Sequence, residues 1–277
     1  MKGLKRIIVS IVCSVLLIML LSSNVKDNSN ITIVIATTPA AGSAAGPLFY
    51  DENIGRLSDR PGYRAELLLQ AGKLCHADIK FTLVPWKRAL HLVEHGGADA
   101  AFSSSYKTER AVYGAYPMKD GKPDTYRAIR GYSYLLFIHK MSDLKWDGKK
   151  ISGSGKKIAV ERGSAGVDIV KNLGLQPVEL NNEQHMLQML TARRVDGMAT
   201  IEGNVKAVIN REPLFARQIE ILQPAIKSKY GYLMFSKDFY GKHTQLTECI
   251  WNAVGDIRAS AQYKALVKSY NTSKSSD

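Results

Sequence analysis

Cysteine is scarce in this chain of 277 residues, with Cys13, Cys75 and Cys249 the only three. None stands in a CxxC arrangement, which excludes a zinc knuckle and a dithiol redox motif. Phosphate-cradling loops are missing as well: no GxxxxGK[ST] occurs, and no GxGxxG opens a helix. There is no GxSxG nucleophile elbow, since Ser103-Ser104-Ser105 lacks its glycines and Gly163-Ser164-Ala165-Gly166 resembles it only superficially. Long apolar runs are limited to one, so the chain is not a multispan membrane protein. Acidic residues are few, 25 against 38 basic ones, for a formal charge of +13. The basic residues are spread out and are not interleaved with aromatics, so nothing here forms a groove for nucleic acid, and no nucleic-acid partner is expected. What is present is an ordinary globular balance, 45% apolar and 23% charged, enough for a proper core.

The single apolar run lies at the N-terminus. Lys2, Lys5 and Arg6 precede Ile7 to Leu21, a run broken only by Ser10, Cys13 and Ser14. It has the length of a signal-peptide core and falls short of the ~20 residues a spanning helix needs. Residues 1–23 are therefore read as a signal peptide, with an uncleaved membrane anchor as the alternative. An exported chain meets oxidising conditions, which permit Cys75 and Cys249 to pair. No spacing argument brings them together. Helices packed side by side sit ~8–10 Å apart, so two separate buried thiols are expected, Cys75 ending the first helix and Cys249 inside the C-terminal one.

Further along, apolar runs alternate with helical patterns, and the series occurs twice. Ile31–Thr38, Asp78–Pro85 and Ala98–Phe102 read as strands, separated by helices over Tyr63–Leu74 and Trp86–His95. Lys157–Val160, Pro177–Leu180 and Gly197–Ile201 repeat the plan, with helices from Ser164 and over Glu183–Arg194. Strands spaced in this way argue for parallel βαβ units. In both halves a helix ends in a tight turn and an aspartate, Asp99 or Asp196, opens the third strand. Tyr132–His139 and Lys229–Ser236 read as paired crossing strands, and residues 243–270 as one or two helices. The expected fold is α/β with two lobes, each a mostly parallel sheet flanked by helices and joined by two crossing segments. The lobes are drawn as 30–130 plus 237–277 and as 131–236.

Two strings offer chemistry. His91-Leu92-Val93-Glu94-His95 fits the HxxEH pattern of zinc peptidases. On a helix, however, Trp86, Ala89, Leu90 and Val93 share one face and the two histidines fall opposite, so a solvated surface is expected and no metal. Ser103 to Arg110 is more informative. It follows a strand at the carboxyl edge of a parallel sheet, where α/β proteins bind ligands. Hydroxyls, backbone N–H groups and a guanidinium converge there, a set suited to a carboxylate, which an arginine fork holds through both oxygens. A capped surface helix with a solvated Arg110 is the competing reading. Gly163 and Gly166 bracket a third candidate, an anion site at a helix start, against which stands an ordinary cap by Ser164.

The order Phe49-Tyr50-Asp51-Glu52, Gly62-Tyr63-x-x-Glu66-Leu67, Val84-Pro85-Trp86, Gly97-Ala98-Asp99-Ala100, Thr108-Glu109-Arg110 and Tyr116-Pro117, then Gly163-Ser164, Val195-Asp196 and Tyr230-Gly231-Tyr232, resembles the family-3 solute-binding proteins of bacterial ABC importers. The resemblance implies a type II periplasmic-binding-protein-like fold, hinge closure on a small carboxylate-bearing solute such as an amino acid, and delivery to a membrane permease. It implies a periplasmic, monomeric protein without a cofactor. It assigns Arg110 to the solute carboxylate, Ser103 and Ser105 beside it, Gly163 and Ser164 to the second lobe's turn, and Phe49 or Tyr50 to an aromatic cover. Two positions depart from the family. Lys107 stands where a threonine is usual, and Ile201 where an aspartate would hold an ammonium group. Either Glu202 reaches the site through a one-residue bulge or the solute lacks an ammonium. The alternatives are a dehydratase-type enzyme using Glu202 or Glu161 as acid/base, and a ligand-sensing module without transport.

Overall fold

The computed structural model describes residues 30–38, 50–51, 56–210 and 212–272. The expected signal peptide and Phe49 lie outside them, and Tyr50 enters only through its backbone, paired with Leu57 in a two-residue ladder.

Eight principal strands share one sheet: β1 (Ile31–Thr37), β2 (Ala77–Leu83), β3 (Ala100–Ser105), β4 (Arg130–His139), β5 (Lys157–Glu161), β6 (Gln176–Leu180), β7 (Gly197–Ile201) and β8 (Ile219–Ser236). Their order is β6-β5-β7-β4-β8-β3-β1-β2, with the short Gly114–Ala115 segment added beside β8. Each lobe runs second–first–third, β2-β1-β3 in one and β6-β5-β7 in the other. The β1–β3, β5–β6 and β5–β7 pairings are parallel, as βαβ connections require. β4 and β8 run antiparallel to their neighbours and lie between the lobes.

The repeated aspartates do the same work in both lobes. Asp99 Oδ2 accepts the Val34 N–H of β1 at 2.7 Å, and Asp196 Oδ2 accepts the Lys156 and Lys157 N–H groups at 2.8 Å. Each thus accepts backbone N–H groups of the neighbouring parallel strand, in the middle of β1 and at the start of β5.

Eight helices flank the sheet among the described residues: α1 (Tyr63–Leu74), α2 (Trp86–Glu94), α3 (Gly166–Asn172), α4 (Glu183–Thr191), α5 (Glu202–Ile209), α6 (Lys237–Lys242), α7 (Thr244–Ala259) and α8 (Ala261–Thr272). Alternation along β4 feeds both faces of the second lobe. Leu135 and Phe137 pack with Met186, Leu187 and Leu190 of α4, whereas Leu136 and Ile138 pack with Val170 of α3. In the first lobe α2 buries Trp86, Ala89, Leu90 and Val93 as its pattern requires, and His91, Glu94 and His95 face solvent. β8 extends ten residues upstream of the apolar run that announces it, because its early part, Ile219 to Lys229, pairs with β4.

The cysteines correct the expectation of separate thiols. Cys75, capping α1, is bonded to Cys249 of α7, with Cα atoms 6.0 Å apart. Small residues explain the approach: Ala65 and Ala71 on α1 and Ala253 on α7 are buried in the same cluster, so the helices close until the thiols meet. The bridge encloses a segment with a sequence separation of 174. A protein expressed from residue 24 should show no free thiol when titrated unfolded and unreduced. Cys249→Ser should lower unfolding stability by about 2–5 kcal/mol in denaturant titration.

Candidate functional site

A cavity of about 50 Å³ opens where the two lobes meet at the crossing strands. Its walls come from the ends of β1, β3, β5 and β7, the carboxyl edge expected of such sheets, and from the start of β4. Along β3 the side chains alternate. Ser103 and Ser105 turn into the cavity, while Ser104 turns away to meet the Tyr116 hydroxyl at 2.9 Å. Arg130, Tyr132 and Tyr134 take the same inward face of β4 by the same alternation.

Arg110 begins a short 3-10 turn, Arg110–Val112, that follows β3. It is only 4% exposed, which removes the competing reading of a solvated side chain on a capped surface helix. Its Nη1 donates to the Ser105 carbonyl at 2.9 Å and to Ser105 Oγ at 3.1 Å. Its Nη2 crosses the cleft and donates to the Gly163 carbonyl of the second lobe at 2.8 Å. The guanidinium carbon stands 5.6 Å from the centre of the Trp86 ring. These bonds fix the fork at the cavity wall. Nearby, Lys107 pairs with Asp168 on α3, so the residue that replaces the usual threonine forms a second contact between the lobes.

Gly163 and Ser164 occupy the facing turn, where Gly163 has φ +73°, a conformation that favours glycine. Gly163 presents its carbonyl to Arg110, and its N–H donates to Glu179 Oε2 at 3.3 Å. Ser164 lines the cavity, and its Oγ accepts the Gly166 N–H at 3.1 Å, so the ordinary capping role is present. The Glu202 carboxylate pairs with Lys206 at 2.6 Å on the exposed side of α5 and does not line the cavity. No bulge brings it in; Ile201 and Asn204 stand there instead.

Four polar groups escaped the sequence reading: Arg130 and Tyr132 on the cavity wall, Glu183 behind it, and Asn204, which lines the cavity and donates to Glu183. The signal for the first two is Arg130-x-Tyr132-x-Tyr134, a polar and aromatic alternation opening an apolar strand. Glu183 carried no signal, since a glutamate in a helix's first turn is normally solvated. Here it is buried, accepting Asn204 Nδ2 at 2.7 Å and Thr200 Oγ1 at 3.2 Å.

Burial sets the electrostatics of the site. The Glu161 carboxyl is pushed well above its ordinary value by burial and by the negative charge of Glu183, against the pull of Arg110. Burial likewise raises the hydroxyls of Tyr132 and Tyr134, and depresses Arg130. Lys229 is depressed by burial and then by the charges of Arg110 and Lys107. The cavity therefore holds two guanidinium groups, a carboxyl that resists ionisation, and a hydrogen-bonded carboxylate beside it. Such a set can grip anionic oxygens firmly and has places for a neutral or cationic donor.

This arrangement of lobes, strand order and crossing strands is the type II periplasmic-binding-protein-like fold. Among solved structures the chain is similar to an ancestral arginine-binding protein bound to arginine, with 20% identity, a TM-score of 0.65, and coverage of 87% of this chain and 99% of that one. It is similar to an amino acid ABC transporter substrate-binding protein from Streptococcus pneumoniae bound to L-arginine, with 16% identity, a TM-score of 0.65, and coverage of 86% and 94%. It is also similar to the GluR0 ligand-binding core from Nostoc punctiforme in complex with L-glutamate, with 12% identity, a TM-score of 0.63, and coverage of 86% and 98%. No protein-family model matches the chain, and no curated protein does.

The raised carboxyl has a consequence for stability. A buried acid that keeps its proton longer in the fold than in the unfolded chain costs stability as pH rises through and beyond the ordinary glutamate value of 4.5. Without added solute, Glu161→Gln should melt higher than the parent protein at neutral pH. The gap should close as pH falls below that value, which thermal melts across a pH series will measure.

Proposed function

We propose that the protein captures a small carboxylate-bearing solute between its lobes and presents it to the permease of an ABC importer. One observation carries the reading: Arg110, buried at the cleft, holds the facing lobe's Gly163 carbonyl with one arm of its fork while lining the cavity. A guanidinium placed there ties solute binding to lobe closure, because an anion that bridges the lobes binds the closed form better than the open one. The solute carboxylate meets Arg110, with Ser105 and Ser164 beside it, and a neutral or cationic donor on the solute faces Glu161 and Asn204. The protein works as an exported, periplasmic monomer without catalysis, its lobes drawn as 30–130 plus 237–277 and as 131–236. Gly231 is the point where β8 passes from β4 to β3. Among the described residues no helix is long and apolar enough to cross a membrane.

A sensing module without transport is the second reading, favoured by the likeness to the GluR0 core, whose fold and coverage are as good as those of the transporter components. The dehydratase alternative narrows to Glu161, since Glu202 does not line the cavity.

Arg110→Ala should weaken solute binding by about 2–5 kcal/mol in calorimetry, the cost of losing one partner of a buried charged pair. It should also lower stability by roughly 1–3 kcal/mol, because the Gly163 carbonyl loses its donor, while the Ser105 carbonyl keeps the Tyr116 hydroxyl. Unchanged affinity for every amino acid and small carboxylic acid that binds the parent protein would refute the assignment. Small-angle scattering should show a smaller radius of gyration with saturating solute than without it; identical profiles would argue for a rigid molecule.

A further inference from the structure

Arg130 has no counterpart in the reading of Arg110 as the carboxylate clamp, yet it lines the same cavity. Its Nε is buried without a hydrogen-bond partner, and no carboxylate among the described residues forms an ion pair with it. The Ser103 hydroxyl, also lining the cavity, is buried and equally unpartnered. The two groups are neighbours through Gly231. That residue pairs with Arg130 across the β4–β8 ladder, and a Cβ placed on it would lie 1.9 Å from Ser103 Oγ and 3.3 Å from the Tyr132 ring. Glycine at this position therefore lets the Ser103 hydroxyl sit against the strand beside Arg130. A second cation stands behind: Arg64 of α1 is buried, with Nε and Nη1 unpartnered, and burial and the charge of Arg130 lower it to about 9.

Unpaired buried donors are costly, and two repelling guanidinium groups are more so. An anion at Arg130 would satisfy the free donor and also offset the repulsion, whereas a neutral acceptor would satisfy the donor alone. We infer that the solute carries two anionic groups, one held by Arg110 and Ser105, the other by Arg130 and Ser103. This rests on the solute-capture reading and narrows its ligand to a dicarboxylate-like molecule.

The test compares each diacid with its monoamide, which has the same shape without the second charge: L-glutamate with L-glutamine, L-aspartate with L-asparagine, and succinate with succinamate. Calorimetry on the full mature chain should show the acid of at least one pair binding roughly tenfold or more tighter than its amide. In Arg130→Gln that ratio should collapse to about two or less. Amides binding as tightly as acids in every pair, or a preference that survives Arg130→Gln, overturns the inference. If solute binding then still depends on Arg110, capture stands and only the second anion falls. If the parent protein binds none of the six probes nor any other amino acid, both readings fall. Should Arg130→Gln not fold, as judged by circular dichroism, the acid-to-amide ratio of the parent protein decides alone.

Discussion

The antiparallel ladder between β4 and β8 is the constraint on which the rest of the molecule depends. From Ile219 opposite His139 to Gly231 opposite Arg130 it belongs to the second lobe. From Gly231 opposite Ser105 to Phe235 opposite Ala100, β8 pairs along its other edge with β3 of the first. One strand therefore pairs with both lobes within the single sheet, and its backbone hydrogen bonds hold the lobes in register while leaving a cleft between their carboxyl edges. The ladder is not uniform: its register shifts between Leu222 and Lys227. Gly231, against which Ser103 and the Tyr132 ring pack, lies at the handover.

The cleft in turn explains why so much charge is buried. Arg110, Arg130 and Glu161 line it, and enclosure there replaces water with fixed hydrogen-bond partners for some and few for others. Arg110 and Glu183 are well supplied with hydrogen bonds. Glu161 and Arg130 are not, and burial shifts both toward their neutral forms. A cavity whose polar groups are unevenly satisfied is poor for stability and well suited to a ligand that supplies the missing charges.

Most of the architecture could be read from periodicity, because strands and helices that bury one face each must repeat at fixed intervals. Helix α1 and strand β7 begin and end where the apolar pattern does, and the twin aspartates marked equivalent points of the two lobes. What could not be read depends on contacts between segments far apart in sequence. Arg110 was placed at the carboxyl edge of the sheet by local pattern, but its burial comes from Gly163 in the other lobe. Glu183 looks like a solvated first-turn residue until Thr200 and Asn204 close over it. The Cys75–Cys249 bridge turns on the close approach of two helices, set by alanines whose partners no spacing rule reveals. Glu202 was drawn to the site by analogy alone, and Lys206 one turn later on its helix holds it outside.

The account makes Arg110 the group through which a small acid joins the lobes, and native mass spectrometry addresses this whatever the solute proves to be. Protein isolated under non-denaturing conditions should carry one small molecule per chain, identified after release as bearing a carboxylate, and Arg110→Ala prepared in parallel should come without it. A bound molecule lacking any acidic group, or equal occupancy of the two proteins, would contradict the account.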